Sequence, residues 1–171
     1  MDIFLRRASE TDIPFLLSLR DKTMRRYLEE VGMPTSAEEY EKRIRFEFSH
    51  AQIVELDGKP IGLFKATYTE ELNYWYLVQI QISPDFQGLK IGSKLILDLI
   101  AKARATKSKV GLSVIETNPA KQLYLKLGFE IVKSSGAEQL LKLMHNKSHK
   151  KYRKTVAFPV PLSRGGYGCC V

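Results

Sequence analysis

A polar turn with two glycines, residues 83–93, carries residue types that can bind an anion. In it, Gln87, Gly88, Lys90 and Gly92 lie between an apolar run typical of a strand and a run with helical periodicity. A helix N-terminus leaves about four backbone N–H groups unpaired and carries roughly half a positive charge. Glycines in the preceding turn let a phosphate come close to the backbone. The turn therefore predicts a phosphate or pyrophosphate site, the alternative being that the glycines only permit a tight turn.

The spacing within this turn narrows the kind of phosphate site that it can form. It contains neither the G-x-x-x-x-G-K-[ST] pattern of P-loops nor the G-x-G-x-x-G pattern of dinucleotide-binding folds. Lys90 and Lys94 add positive charge close to the predicted helix N-terminus.

The elements before the turn begin with a short strand at residues 3–7 and two helices. Ser9 or Thr11 is predicted to cap the first helix, and Ser36 caps the second, more polar one. Two β-rich runs then join across an Asp-Gly pair at residues 57–58, which is a strong hairpin signal, and a third run leads into the turn.

The elements after the turn are a helix, a short strand, a second helix and a closing hairpin. Asn118 caps that second helix, with Pro119 at its first position, and Gly128 ends it. The central order of strand, turn, helix, strand, helix and strand predicts the α/β class, with a mixed sheet and helices on both faces.

The formal net charge of +8 is concentrated near the C-terminus. All 19 acidic residues lie at or before Glu138, and seven of the 27 basic residues follow Leu141, which leaves 20 basic against 19 acidic residues in 1–141. Residues 145–171 are basic and then rich in Gly and Pro, so we expect a flexible tail after a domain of residues 1–144. The string "KSHKKYRK" in this tail keeps a nucleic-acid or other polyanion partner open as an alternative.

Several classes of protein are excluded by composition and spacing. No apolar run approaches the ~18 residues of a membrane span, and no signal peptide is visible, so we expect a cytoplasmic protein with no membrane partner. Cys169 and Cys170 are adjacent, which does not make a disulfide framework. His145 and His149 are four residues apart but have no nearby acid, so no metal site is predicted.

Two segments resemble the motifs of the GNAT acetyltransferase superfamily. "LVQIQISPDFQGLKIGSKLILDLI" is similar to motif A, a strand ending in a proline and then Q/R-x-x-G-x-G/A running into a helix. "SVIETNPAKQLYLKLGFEIV" is similar to motif B, a strand, an Asn, a helix containing Tyr, and Leu-Gly-Phe before a strand. The resemblance covers about residues 2–144. It implies the GNAT fold, a central mixed six- to seven-stranded sheet flanked by helices.

The resemblance also implies an activity, the transfer of an acetyl group from acetyl-CoA to a primary amine by direct attack, without a metal. The fourth strand would bind the pantetheine arm, with one N–H polarising the thioester carbonyl, and the turn would hold the pyrophosphate. Asn118 would contact the cofactor or, equally, only cap its helix. The cofactor-binding residues implied in this way are Ile80, Gln81, Ile82, Gln87, Gly88, Leu89, Lys90, Ile91, Gly92, Ser93 and Asn118.

Lys90 departs from the family pattern, because it occupies the position of the first glycine. A residue with a Cβ atom must either keep φ negative there or tolerate some strain. This departure keeps open a second alternative, a protein that binds acetyl-CoA without catalysing a reaction.

The resemblance places a catalytic tyrosine at Tyr124. A phenol with a pKa near ~10 is protonated at neutral pH and can protonate the departing thiolate of coenzyme A. The alternative is an aromatic side chain that packs beside Leu123 and Leu127. The acceptor amine must lose a proton before it attacks, and the fourth strand has no acid, so Glu116 at the end of the fifth strand is the nearest candidate base, unless it is only a solvated strand-end charge. The other candidates, if loops bring them near, are Glu29, Glu30, Glu70 and Glu71.

The acceptor is expected to contact the first two helices and the hairpin. Acidic and aromatic side chains there can receive an amine through charge or cation–π contacts, and the candidates are Tyr27, Glu29, Glu30, Tyr68 and Trp75. A polyamine, an amino sugar, a small metabolite and a peptide terminus all remain open as acceptors, and so does the oligomeric state.

Overall fold

The computed structural model describes residues 2–144, which contain seven strands and four α-helices. The strands are β1 Ile3–Arg7, β2 Ala51–Leu56, β3 Lys59–Thr69, β4 Tyr74–Ile82, β5 Lys109–Ile115, β6 Phe129–Ser135 and β7 Glu138–Leu143. The helices are α1 Ile13–Glu30, α2 Ala37–Arg45, α3 Ile91–Ala105 and α4 Ala120–Lys126. The predicted tail, residues 145–171, lies outside the described residues, together with its histidines and cysteines.

The strands form one mixed sheet in the order β1-β2-β3-β4-β5-β7-β6. Within residues 2–144, β4 and β5 are the one parallel pair, and the other neighbours run antiparallel. The predicted α/β class and the mixed sheet are therefore confirmed, at the upper end of the expected six to seven strands.

Local signals account for most of the element boundaries. Asp57 and Gly58 both have positive φ, 50° and 77°, as a two-residue hairpin turn between β2 and β3 requires. Ser36 caps α2, because its Oγ accepts a hydrogen bond from Glu39 N at 3.2 Å. Gly128, with φ of 102°, ends α4 and turns the chain into β6.

The start of α1 differs from the prediction in one detail. Ser9 forms a capping box with Asp12, and it does so on a short 3₁₀ turn at residues 10–12 that leads into α1. Arg6 donates two hydrogen bonds to the Asp12 carboxylate, and these lower the pKa of Asp12 to about 2. Pro14 lies in the first turn of α1, as the sequence indicates.

The sheet separates two layers of core. The face covered by α3 and α4 carries the largest buried cluster, which includes Ile80, Ile82, Leu95, Tyr124 and Phe129. The face covered by α1 and α2 carries two smaller clusters. None of the helices in residues 2–144 is long and apolar enough to cross a membrane.

Candidate acyl-transfer site

The central feature of the site is a gap between β4 and β5. The two strands pair only from Tyr74 with Lys109 to Leu77 with Leu112. On the other side of β4, Lys65 pairs with Gln79 and Ala66 with Leu77, so Val78 is an extra residue in the strand, a β-bulge. Because β4 stops pairing with β5 at this bulge, the β5-facing edge of residues 78–82 forms no ladder with β5 and can bind an extended ligand.

The bulge also decides which side chains reach each face of the sheet. Ile80 and Ile82 belong to the core under α3, so Gln79 and Gln81 point to the opposite face, toward α1 and α2. Both glutamines have no exposed surface, and neither their Oε1 nor their Nε2 atoms have a hydrogen-bond partner within residues 2–144. Buried amides without partners are rare in folded proteins, and they mark this face of β4 as unusual.

The turn after β4 has the backbone shape of an anion-binding loop. The Gln87 side chain donates from Nε2 to Ile82 O at 2.9 Å, which ties the turn to the end of β4. Gly88 has φ of 80°, and Lys90, the residue before α3, has φ of 62°. Lys90 therefore does not keep φ negative but tolerates the strain of a positive φ, at a cost of about 1–2 kcal/mol. The loop thus keeps the left-handed conformation that a glycine would adopt.

A groove of about 290 Å³ lies between this turn, the first turn of α3 and the start of α4. The predicted cofactor residues that line it are Ile82, Gln87, Gly88, Lys90, Ile91, Gly92 and Ser93, and α4 contributes Pro119, Ala120 and Leu123. Leu89 lies in the same turn, and Ile80 and Gln81 are buried further along β4. The structure therefore brings the predicted strand, turn and helix N-terminus together, and the groove fits an elongated ligand with a charged phosphate end.

Asn118 and Tyr124 lie on the α4 side of this groove. Asn118 is buried, and its Oδ1 accepts a hydrogen bond from Ala120 N at 2.9 Å, which is the capping role. Tyr124 has no exposed surface, and its ring meets that of Phe129 edge-on at 6.0 Å. Tyr124 is thus a core residue next to Leu123, which lines the groove, and its packing with Phe129 accords with the structural alternative while its catalytic role stays a prediction.

Glu116 lies in the turn that follows β5 and is exposed. Its backbone N–H donates to Ala137 O at 2.9 Å, and its carbonyl oxygen accepts from Lys121 Nζ at 3.4 Å. These contacts fix the main chain at the end of β5 and involve no atom of the Glu116 carboxylate.

The five predicted acceptor residues lie on two opposite faces of the sheet. Tyr27 packs near Ile115 on the α1 face, while Glu29 and Glu30 on the same helix pair with Arg25 and Arg26. Tyr68 and Trp75 stack at 5.1 Å on the α3 face, where Lys102 Nζ lies 5.1 Å from the Trp75 ring. Those two aromatic residues line a separate cavity of about 570 Å³, so the five do not form one site.

Glu138, the first residue of β7, is a candidate functional residue that the sequence reasoning missed. It pairs with Ile115 at the end of β5, and Ile115 packs under α1 and α2, so Glu138 faces the same side of the sheet, one strand beyond the gap. Burial raises the pKa of Glu138 to about 7, while nearby Arg43 acts in the opposite direction. Its Oε1 is buried and has no hydrogen-bond partner in the described part of the chain.

Arg43 on α2 is the second residue missed. It is buried, and its Nη2 donates to the carbonyl oxygen of Val78, the bulge residue, at 2.9 Å. The signal for both missed residues is an ionisable side chain inside an otherwise apolar pattern, Arg43 beside Ile44 and Glu138 at the start of "EQLLKL". Neither signal indicates a site until the sheet order is known.

Lys65 on β3 adds a third charged group under α2. It has no exposed surface, and its Nζ donates to the carbonyl oxygens of Ile44 at 2.8 Å, Phe46 at 2.6 Å and Arg43 at 3.3 Å. Desolvation, followed by the positive charges of Arg43 and Arg20, lowers the pKa of Lys65 to about 7. Among residues 2–144 there is no cluster of three or more potential metal ligands.

A sequence model of the acetyltransferase (GNAT) family matches residues 16–129. No curated protein matches the chain in sequence. Among solved structures, similarity extends to the PaiA N-acetyltransferase of Thermoplasma acidophilum, in complex with coenzyme A. It is 19% identical, with a TM-score of 0.65, over 85% of this chain and 100% of that one.

Two further solved structures have the same fold. The ribosomal-protein-S18-alanine N-acetyltransferase of Escherichia coli is 17% identical over 88% of this chain and 100% of its own, with a TM-score of 0.59. The N-acetylglutamate synthase of Neisseria gonorrhoeae, complexed with coenzyme A and N-acetyl-glutamate, is 21% identical over 84% of this chain and 35% of its own, with a TM-score of 0.60. At these identities the likeness establishes the fold.

Proposed function

Since the chain belongs to the GNAT acetyltransferase family, we propose that it transfers the acetyl group of acetyl-CoA to a primary amine. The observation that carries the proposal is a groove between the turn at Gln87–Ser93 and α4, which begins at Ile82, the last residue of the β4 segment that β5 leaves unpaired after the bulge. Two solved neighbours of the same fold contain coenzyme A. Acetyl-CoA supplies an activated acyl group as a thioester.

The turn and α3 hold the phosphate end of the donor in this proposal. The first N–H groups of α3 and the positive end of its dipole favour an anion, and Lys90 and Lys94 add charge. Gly88 gives the ligand close access to the backbone, because its conformation has positive φ and a Cβ there would meet nothing within 4 Å. Because Lys90 keeps the left-handed conformation of the glycine it replaces, the turn keeps its shape. This supports binding of the pyrophosphate rather than its loss.

The edge of β4 positions the reacting carbonyl. Backbone N–H groups of Val78–Ile82 that face the gap can donate to the carbonyl oxygen of the thioester, on which negative charge develops during attack. Arg43 fixes the Val78–Gln79 peptide from the α2 side, so it acts as a positioning residue for this edge.

Two ionisable side chains carry the proton transfers. The acceptor enters as an ammonium and must lose one proton before its nitrogen bonds to the acetyl carbon. We assign this step to Glu138, with Glu116 as the second candidate, because Glu138 is half-buried on the α1 and α2 side of the sheet, close enough to Arg43 to feel its charge, and burial raises its pKa to about 7. As the C–S bond breaks, Tyr124 donates a proton to the thiolate and recovers one from the product nitrogen through solvent. The sum is one amide, one thiol and one released proton.

The test is release of free thiol from acetyl-CoA by the full-length protein in the presence of a panel of amines. Turnover that depends on the amine, with the acetylated amine identified by mass spectrometry, supports the proposal. Binding of acetyl-CoA without turnover for any amine class would favour the non-catalytic alternative. The polyanion-binding alternative depends on the tail outside residues 2–144, and no observation within those residues favours it.

A further inference from the structure

The face of β4 beneath α2 offers hydrogen-bonding groups that the folded chain does not use. Gln79 and Gln81 lie side by side on this face, and all four of their polar side-chain atoms are buried without a hydrogen-bond partner within residues 2–144. They are adjacent to the bulge, where β4 opens toward the bound thioester in the proposed function. A polar ligand on this face would therefore find two donors and two acceptors already in place.

The electrostatic character of this face is positive. Arg20, Arg43 and Lys65 are all buried between the sheet and the helices α1 and α2. Arg43 and Arg20 both lower the pKa of Lys65, which shows that the three charges act on the same region. A buried positive region favours a ligand that brings a negative group, and a guanidinium with amide N–H groups is a good partner for a carboxylate.

One acidic group lies at the rim of this positive region. Glu138 faces the same side of the sheet from β7, one strand beyond the gap, and Arg43 lies close enough to act on its pKa. An ammonium beside Glu138 and a carboxylate beside Arg43 and the glutamine amides would match the distribution of charge. We propose that the acceptor is an amino acid, or a similar small amine with a carboxylate next to its amino group. This inference rests on the proposed function, because it names the acceptor of that same transfer.

Polyamines and simple alkylamines fit the same face less well. Each additional ammonium group of a polyamine would be placed near the buried guanidinium groups of Arg20 and Arg43, where repulsion is stronger than in water. A simple alkylamine has no carboxylate to pair with the glutamine amides, so it would gain no hydrogen bonds from them.

Matched sets of amines test the inference with the full-length protein. Each set consists of an amino acid, its carboxamide and its decarboxylated amine, for example alanine, alaninamide and ethylamine, or phenylalanine, its amide and phenethylamine. We expect the amino acid to exceed both relatives by at least tenfold in kcat/KM. The amide is the less basic amine, so a preference for the acid cannot come from easier deprotonation.

Substitution of the two glutamines separates ligand recognition from structure. Gln79→Leu and Gln81→Leu remove buried amides that make no hydrogen bond in the described chain, so we expect each variant to keep or raise Tm. We also expect each to lower, at least fivefold, the ratio of kcat/KM for the amino acid to kcat/KM for the decarboxylated amine. Arg43→Lys should reduce the same preference, and Arg45→Gln, on the exposed side of α2, is the matched control that should not.

The outcomes distinguish failure of the amino-acid acceptor from failure of the proposed acetyl transfer. Binding of acetyl-CoA together with equal use of amino acids, amides and simple amines, or a preference for polyamines, would overturn the inference and leave the proposed function intact. Unaltered amino-acid preference in both glutamine variants would also overturn it. Absence of acetyl-CoA binding would overturn the proposed function, and the inference with it.

Discussion

Arg43 donates a hydrogen bond from Nη2 to the carbonyl oxygen of Val78 at 2.9 Å, and this contact ties α2 to the bulge in β4. In a trans peptide the C=O and N–H groups point in opposite directions. Fixing the Val78 oxygen toward α2 therefore directs the N–H of Gln79 away from α2. A buried positive charge on the oxygen also strengthens that N–H as a donor.

Replacement of Arg43 with Lys should lower kcat while leaving the fold and the affinity for acetyl-CoA in place. Lysine keeps the charge but loses the planar fork that reaches Val78. Loss of one oxyanion donor costs about 10²–10³ in kcat, and we expect a smaller effect, about tenfold to a hundredfold, from a group that acts through the peptide. Steady-state kinetics and titration with acetyl-CoA check this. An unchanged kcat, or a loss equalled by Arg45→Gln, would argue against the positioning role.

Replacement of Tyr124 with Phe should lower kcat by about 10²–10⁴, the range of a lost general acid. The ring and its contact with Phe129 remain, so the affinity for acetyl-CoA and Tm should change little. Rapid-quench measurement of the chemical step is the decisive readout. Full activity in Tyr124→Phe would mean that this tyrosine only packs in the core.

The pH dependence of the reaction should report Glu138. As a base it must be deprotonated, so kcat/KM should rise with pH to about 7 and then level off. Glu138→Gln should lower the plateau and remove this inflection, whereas Glu116→Gln should preserve it. Lys65 also titrates at about 7, so an inflection that survives in Glu138→Gln would identify another group and contradict the assignment.

The same carboxylate predicts a change in stability with pH. The pKa of Glu138 is raised to about 7 in the folded state and is near its ordinary value of 4.5 when unfolded. Between these values the folded state binds the proton more tightly, so the stabilisation is present below about 4.5 and is lost as pH rises through 7. The free energy of unfolding of Glu138→Gln relative to wild type should therefore increase across this interval. Urea denaturation at pH 5 and pH 7.5 measures it, and a constant difference would contradict it.

A pair of substitutions in the turn should have opposite effects on stability. Gly88→Ala places a Cβ where φ is 80° and where no atom lies within 4 Å, so its cost of about 1 kcal/mol arises from backbone conformation alone. Lys90→Gly relieves the strain at φ of 62° and should stabilise by up to about 1 kcal/mol, less the added entropy of the unfolded chain. Thermal unfolding at several urea concentrations compares them. If both variants changed the free energy of unfolding in the same direction, the strain assigned to Lys90 would be wrong.

The sequence was sufficient where structure depends on neighbouring residues. The Asp57-Gly58 turn, the Asn118 cap and the start of α3 after the glycine turn all follow from local backbone preferences, and each is present. The two motifs also placed the groove at the turn, because strand, turn and helix are consecutive in the chain.

The sequence was insufficient where one extra residue in a strand reverses the face of the sheet to which every later side chain points. Simple alternation would put Trp75 on the same face as Gln79 and Gln81. The bulge at Val78 reverses the order, so Trp75 lies under α3 and the glutamines lie under α2. Glu138 reaches the site only because β7 is inserted beside β5, a non-local pairing that no nearby residue signals.

Isothermal titration of the full-length protein with acetyl-CoA tests the central claim most directly, with Ser93→Glu and Arg104→Glu as matched variants. Both add one carboxylate to α3, Ser93→Glu in its first turn beside the groove and Arg104→Glu in its last turn. We expect one acetyl-CoA site with a Kd of about micromolar. Ser93→Glu should weaken the affinity at least tenfold, and Arg104→Glu should leave it nearly unchanged. Absence of binding to the wild-type protein, or equal weakening by both variants, would contradict the central claim.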